Sequence, residues 1–235
     1  MGGLTKILMI TICFSAIGCS TKPNYESRSS FEIDSNKYVK ESKFYCEQTT
    51  SDYAETKEYR NGNFICLTGP IDRDFYLRYM ELSPKPTDIV VVRSGGGEIG
   101  SAMDVGDQLW RMGNLVIVDN ICGSACAYFI ALGSRRLAFT RAGVLGFHGG
   151  PMSAEAILAD DNLDTAAKSI ALAGSERFQD FFAKRGVDIS ITTDVPESLK
   201  NDIVDWHKVM WIRTAEELKR YGFHNVLYCD SSYCL

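Results

Sequence analysis

Ile89-Val90-Val91-Val92, entered from Asp88, runs through Arg93 into Ser94-Gly95-Gly96-Gly97. Behind the glycines, Ile99, Ala102, Met103, Gly106 and Trp110 recur at helical spacing. An unbroken β-branched run with no polar alternation reads as a strand covered on both faces, the signature of a parallel sheet. A glycine turn that leads straight into an amphipathic helix sends the chain back across that sheet. Strand, tight turn and returning helix together predict an α/β architecture with right-handed crossovers. At 235 residues the chain can bury one good core, but it is too short for three domains.

The rest of the chain fits this reading. Phe44–Cys46 and Phe64–Leu67 read as strands, with Asn61-Gly62-Asn63 as a turn between them. Asp72–Leu82 reads as a helix stopped at Ser83-Pro84, and Leu115–Val118 as a second buried strand. Asp119–Gly123 is expected to be a loop that opens a third helix ending at Ala131. Leu137–Phe139, Val144–Phe147 and Met210–Ile212 read as strands. Thr165–Arg185 reads as a long helix with Ile170, Gly174, Phe178 and Phe181 inward and Gly186 as its stop. Thr214 and Glu217 have capping-box spacing for a last helix to Tyr221. No internal repeat is visible.

The first eighteen residues do not read as part of the fold. A single charge, Lys6, precedes the apolar run Ile7–Phe14, which is too short to span a bilayer stably and reads as an export signal. Its end, Ala16-Ile17-Gly18-Cys19, resembles the lipobox of bacterial lipoproteins, which implies cleavage before Cys19 and acylation of its thiol. Ser20 after the cysteine is similar to Gram-negative lipoproteins destined for the outer membrane. The expected organisation is a lipoprotein signal peptide over 1–18, a polar tether over 19–42 with little to bury, and one α/β domain over 43–235. The localisation that follows is the periplasm, with the chain attached to a membrane through its N-terminal lipid.

Six cysteines are left beyond Cys13 and Cys19, an even number that suits an oxidising compartment. Local pairing is expected, as Cys46–Cys66, Cys122–Cys126 and Cys229–Cys234; buried free thiols are the alternative. The net charge is −5 and no Lys/Arg block is present, so nucleic acid is not an expected partner. The three histidines, His148, His207 and His224, lie in no metal-ligand frame, so no metal is expected. No cofactor is expected either.

Three features fall at the C-terminal ends of the predicted buried strands, where α/β folds place their sites. They are the glycine run, Cys122-Gly123-Ser124-Ala125-Cys126, and His148 after Phe147. A serine hydroxyl needs a base to become a nucleophile, and His148 is the candidate base. The oxyanion formed when an ester or amide carbonyl is attacked needs preorganised N–H donors. Gly96, which allows close backbone approach, and Ala125, at a predicted helix start, are the candidates for that role. Each residue also has an ordinary reading: Ser124 as a helix N-cap, His148 as a turn residue, and the glycines as a strand–helix turn.

Taken together, these residues resemble the Clp-type serine peptidases of the Clp/crotonase superfamily, especially the periplasmic proteins related to them. The resemblance runs from Thr68-Gly69-Pro70-Ile71 through Ser94-Gly95-Gly96-Gly97, which is similar to the family's S-P-G-G. It continues through Ser124 with Ala131-Leu132-Gly133, and Gly143–Phe147 with His148, to Thr214-Ala215-Glu216-Glu217 and Tyr221-Gly222. It implies a single domain of superhelical ββα units and an exported serine hydrolase acting on a peptide or protein. In that role Ser124 is the nucleophile, His148 the general base, and Gly96 and Ala125 the oxyanion donors. A homo-oligomer is also implied.

Two departures from the family pattern stand out. The cysteines around Ser124 resemble only the periplasmic relatives, where a Cys122–Cys126 bridge would brace the serine's turn. The family's aspartate position falls near Met210, which cannot orient an imidazole. Asp205 is the nearest upstream carboxylate and the candidate third member, with Asp202 and Asp194 further away. Without one, the site is a Ser–His dyad or an inactive scaffold or binding lipoprotein on the same fold. A rival reading takes Gly95, Gly97 and Gly100 as G-x-G-x-x-G, with Asp119 about twenty residues on, as in dinucleotide-binding Rossmann proteins.

Overall fold

The computed structural model describes Cys46 and residues 57–150, 153–200 and 210–228. The expectations for the signal, the tether, Cys19, Asp205 and the Cys229–Cys234 pair lie outside the described residues. Asp202 also lies outside them.

The elements follow in the order β1 (Lys57–Asn61), β2 (Phe64–Thr68), α1 (Phe75–Glu81), β3 (Ile89–Ser94), α2 (Ile99–Met112) and β4 (Leu115–Gly123). A π-helix (Cys126–Ala131), β5 (Arg136–Phe139), β6 (Val144–Phe147), α3 (Ala154–Ala159) and α4 (Thr165–Ala183) come next. A 3₁₀ turn (Ile189–Thr192), α5 (Glu197–Lys200), β7 (Trp211–Arg213), α6 (Ala215–Arg220) and β8 (Val226–Tyr228) complete the described chain. The strands form one mixed sheet in the order β1-β2-β3-β4-β5-β8, with β6 on β4 and β7 on β6. β2, β3, β4 and β5 run parallel, while β1 and β7 are antiparallel to their neighbours. This is the α/β class that the strand–glycine–helix unit predicts.

The β-branched run is buried on both faces, as its pattern requires. Val90 and Val92 pack with Ile65, Leu67, Val116 and Val118 under the helices. Ile89 and Val91 join Phe64, Cys66, Leu115 and Ile117 on the opposite face. On the helical side, α2 crosses the π-helix so closely that a Cβ at Gly106 would lie 2.1 Å from the Phe129 carbonyl oxygen. The aromatic cluster of Phe129, Phe178, Phe181 and Phe182 fixes α4 to the same layer.

Several elements differ from the sequence reading. Cys46, expected in a strand, is helical, and β1 takes the edge place beside β2. β1 reads Lys-Glu-Tyr-Arg-Asn, a charged composition that suits an edge strand and hides it from a hydrophobic pattern. Asp119–Gly123 is strand, not loop. β4 bends at Asn120 (φ +71), leaves β5 and takes β6 as its partner through Ile121, Cys122 and Gly123. Asparagine tolerates that left-handed backbone, and the ladder to β6 overrides the local polar composition. The helix after Ser124 is π-wound, with Leu132 N–H reaching back to Ala127 O at 3.2 Å. Ile170 is 74% exposed and Gly174 is exposed too, because the N-terminal half of α4 extends past the core. The capping box at Thr214–Glu217 is formed as read.

Candidate active site

β4 and β6 carry the two central residues to the same end of the sheet. Gly123, the last residue of β4, pairs with Gly146 of β6, and Ser124 N–H donates to the Gly146 carbonyl at 2.9 Å. Ser124 then turns with φ +52, a left-handed conformation unfavourable for a residue with a Cβ. This sharp strand-to-helix turn exposes Oγ above the sheet, as nucleophile elbows do. Two residues after Gly146 on the adjacent strand, His148 reaches the same point. Its Nε2 lies 2.7 Å from Ser124 Oγ. With the ring proton on Nδ1, Ser124 donates to Nε2. The N-cap of the π-helix is Ala125, so the hydroxyl is committed to the imidazole and not to capping.

The surrounding contacts fix both residues. The disulfide Cys122–Cys126 brackets Ser124, with its Cα atoms 5.2 Å apart and both residues fully buried. The Cys46–Cys66 bridge is also formed. Tyr128, four residues after the serine, donates its N–H to Ser124 O at 2.9 Å. Its hydroxyl accepts the His148 N–H at 2.8 Å and lies 2.7 Å from the carbonyl oxygens of His148 and Gly149. Burial pushes the Tyr128 phenol up to about 12, so it stays protonated near neutrality.

Gly96 packs directly on Ser124. A Cβ there would lie 2.6 Å from Gly123 O and 2.7 Å from Ser124 Cβ, at a backbone φ of +102. The loop is held by Ile71, whose N–H donates to Gly96 O and whose carbonyl accepts the Glu98 N–H. Gly96 N–H itself donates to Ser94 Oγ at 3.1 Å, so donating to an oxyanion there would require sharing or releasing that bond. Ala125 N–H follows the serine immediately at the turn.

The carboxylate positions are also informative. Met210 does stand beside the site: a Cβ on Gly146 would meet its sulfur at 2.0 Å, and one on Gly123 would meet its Cε at 2.8 Å. A thioether covers this spot, so no charge is supplied from residue 210. Asp194 is engaged elsewhere, accepting from the Tyr221 hydroxyl and facing Arg213 at 3.8 Å. Asp119 pairs with Arg93 and accepts from Thr140 Oγ1. Glu98 places its carboxylate on the Gly100 and Ser101 N–H groups at the start of α2. In a dinucleotide site those amides would face a pyrophosphate and Asp119 a ribose. Here both sets are already occupied, and β3 lies between its sequence neighbours β2 and β4 with no reversal of strand order.

A cleft of about 520 Å³ opens beside Ser124 and His148. Its wall is mostly apolar, formed by Ile99, Met103, Ile157 and Phe178, with Ala171 and Gly174 from the projecting half of α4. Its charged residues are compensated, Glu98 by the α2 amides and Arg177 by Asp104 at 2.6 Å. Among the described residues no cluster of His, Cys, Asp or Glu is arranged to hold a metal, and no helix is long and apolar enough to cross a membrane.

Sequence reasoning missed Tyr128, Glu98 and the cleft wall on α4; the segment 149–163, expected to overhang the cleft, does supply Gly149, Gly150 and Ile157 to its lining. Tyr128 sits among Ala, Phe and Ile and reads as a core aromatic; its hydroxyl, which needs a partner when buried, was the available signal.

No family model matches the sequence, and no curated protein matches it. Among solved structures, the chain is similar to a mutant of ClpP1 from Listeria monocytogenes, with 14% identity and a TM-score of 0.44, over 73% of this chain and 94% of that one. It is also similar to a mutant of the 1510-N membrane-bound stomatin-specific protease, with 18% identity and a TM-score of 0.40, over 72% of this chain and 78% of that one.

Proposed function

We propose that the protein is a serine hydrolase that cleaves a peptide amide or an ester, with Ser124 as nucleophile and His148 as general base. The observation that carries this reading is the 2.7 Å contact between Ser124 Oγ and His148 Nε2 at the mouth of an apolar cleft. In the proposed reaction Nε2 takes the hydroxyl proton as Oγ bonds to the carbonyl carbon. The negative charge forming on the carbonyl oxygen is received by Ala125 N–H and by the glycine loop at Gly96. Collapse of the adduct breaks the bond to the leaving group, which takes the proton from His148. A water molecule, deprotonated by the same imidazole, then releases the acyl group and restores the serine. The apolar wall suits an apolar group on the acyl side of the scissile bond.

The test is covalent labelling with a fluorophosphonate. The oxidised wild type is expected to be labelled and Ser124→Ala not, with His148→Gln slowed by about 100-fold or more. An unlabelled but folded wild type would overturn the hydrolase reading in favour of the scaffold. Asp205 is proposed as the residue orienting His148, and Asp205→Asn should then lower the labelling rate. Export and lipidation are proposed from the leader and Cys19. Metabolic labelling with a palmitate analogue is expected to mark the wild type, and labelling that persists in Cys19→Ala would refute the lipid assignment.

A further inference from the structure

We propose that Tyr128 is the positioning residue of this site, joining the nucleophile to the base through one side chain. The inference rests on the hydrolase reading above. Ser124 and His148 are 24 residues apart, on turns that follow different strands. A strand pairing sets β4 against β6, and its last hydrogen bond, Ser124 N–H to Gly146 O at 2.9 Å, holds the backbone of the turn but neither of the two reacting side chains. Beyond that point Tyr128 makes the connection. Its backbone N–H holds the Ser124 carbonyl, which fixes the turn that presents Oγ. Its hydroxyl accepts from His148 N–H and can donate its single proton to the carbonyl of His148 or of Gly149. A hydroxyl is the group this pocket needs, because it must accept one bond and donate another.

The ring cannot drift either. It lies 5.7 Å from Phe147, 6.0 Å from Phe129 and 5.8 Å from Phe178, centroid to centroid. Burial keeps the phenol protonated, so its donor role persists through the neutral range. Tyr128 also lines the cleft, yet the described bonds of its hydroxyl go to the protein backbone. It therefore acts through His148 and Ser124.

The experiment compares Tyr128→Phe with wild type, using an ester substrate and the imidazole NMR signals. With three histidines in the chain, His148 is assignable from the spectrum of His148→Gln. The expected result is a folded variant whose melting temperature falls by a few degrees, with kcat lower by about 10- to 100-fold, more than that loss explains, and KM within about twofold. In wild type, Ser124→Ala should shift the His148 signal; in Tyr128→Phe the same substitution should shift it less than half as far. An unchanged kcat, or an equal His148 response in both backgrounds, overturns the proposal. So does a Phe variant that fails to fold or loses rate only in step with its melting temperature, since that makes Tyr128 a core residue. If wild type shows no Ser124-dependent turnover, the hydrolase reading fails by itself, and the NMR comparison still decides the role of Tyr128.

Discussion

At the scale of single residues the site is built by close approach. Gly96 must have positive φ, and its Cα must lie against Ser124. An added methyl group would meet Gly123 O and Ser124 Cβ well inside van der Waals contact. Gly96→Ala is therefore expected to push the Ser124 turn away, lowering the labelling rate by about 100-fold or more and costing about 1–3 kcal/mol. Rate and urea midpoint measured on one preparation check both; a fully active, stable alanine variant would remove Gly96 from the site. Glu98 makes a pH-dependent contribution nearby. Burial pushes its carboxyl up, but the Ser101 and Gly100 amides outweigh that and hold it below the usual range. A folded pKa below the unfolded one gives stability that is present above about pH 4.3 and is lost as pH falls through the lowered folded value. As an N-cap this is worth about 1 kcal/mol. Glu98→Gln should thus be less stable than wild type at pH 6, with the gap closing in acid. A gap independent of pH would show that the carboxylate does not cap α2 in solution.

At the scale of elements, the two disulfides do different work. Cys46–Cys66 closes a separation of 20 residues and lies away from Ser124, on the far face of the sheet. The chain-entropy argument gives about 3 kcal/mol for a loop of this size. Cys122–Cys126 closes a separation of 4, for about 2 kcal/mol, but it spans the turn at Ser124. Replacing Cys46 and Cys66 by serine is expected to cost the larger share of stability with little loss of labelling. Replacing Cys122 and Cys126 by alanine should reverse that order. Equal effects on rate would mean that the second bridge does not brace Ser124. The sequence made the buried strands, the capping box and these pairings legible because each depends on nearby residues. It could not show that β4 continues through Asp119 and Asn120, since the partner that keeps it extended is β6, more than twenty residues on. Nor did helical spacing distinguish Phe178, which meets the core, from Ile170, which projects beyond it on the same helix. Ser124 and His148 were visible as residues; their bond required the fork in β4.

At the scale of the whole molecule, the disulfides bear on the proposed export. Cys66, Cys122 and Cys126 are fully buried and Cys46 is 4% exposed, so a reductant reaches these sulfurs only through opened states. Bridges sealed this way must form as the chain folds, which an oxidising compartment permits and a reducing cytosol opposes. The leader proposed over residues 1–18 would deliver the chain to such a compartment. Two preparations test the link: residues 20–235 kept in a reducing cytosol, and the same segment exported behind a cleavable signal. The exported protein is expected to leave these four cysteines unreactive to a maleimide until it is unfolded in the presence of reductant. The cytosolic protein should react at all four once unfolded without reductant. Loss of both bridges, about 5 kcal/mol together, should lower its melting temperature by about 10 °C or more. Its fluorophosphonate labelling should fall further than the melting shift explains, because the turn at Ser124 loses its clamp. A cytosolic form with four free thiols that melts and labels like the exported one would break the proposed connection between export, oxidation and the turn at Ser124.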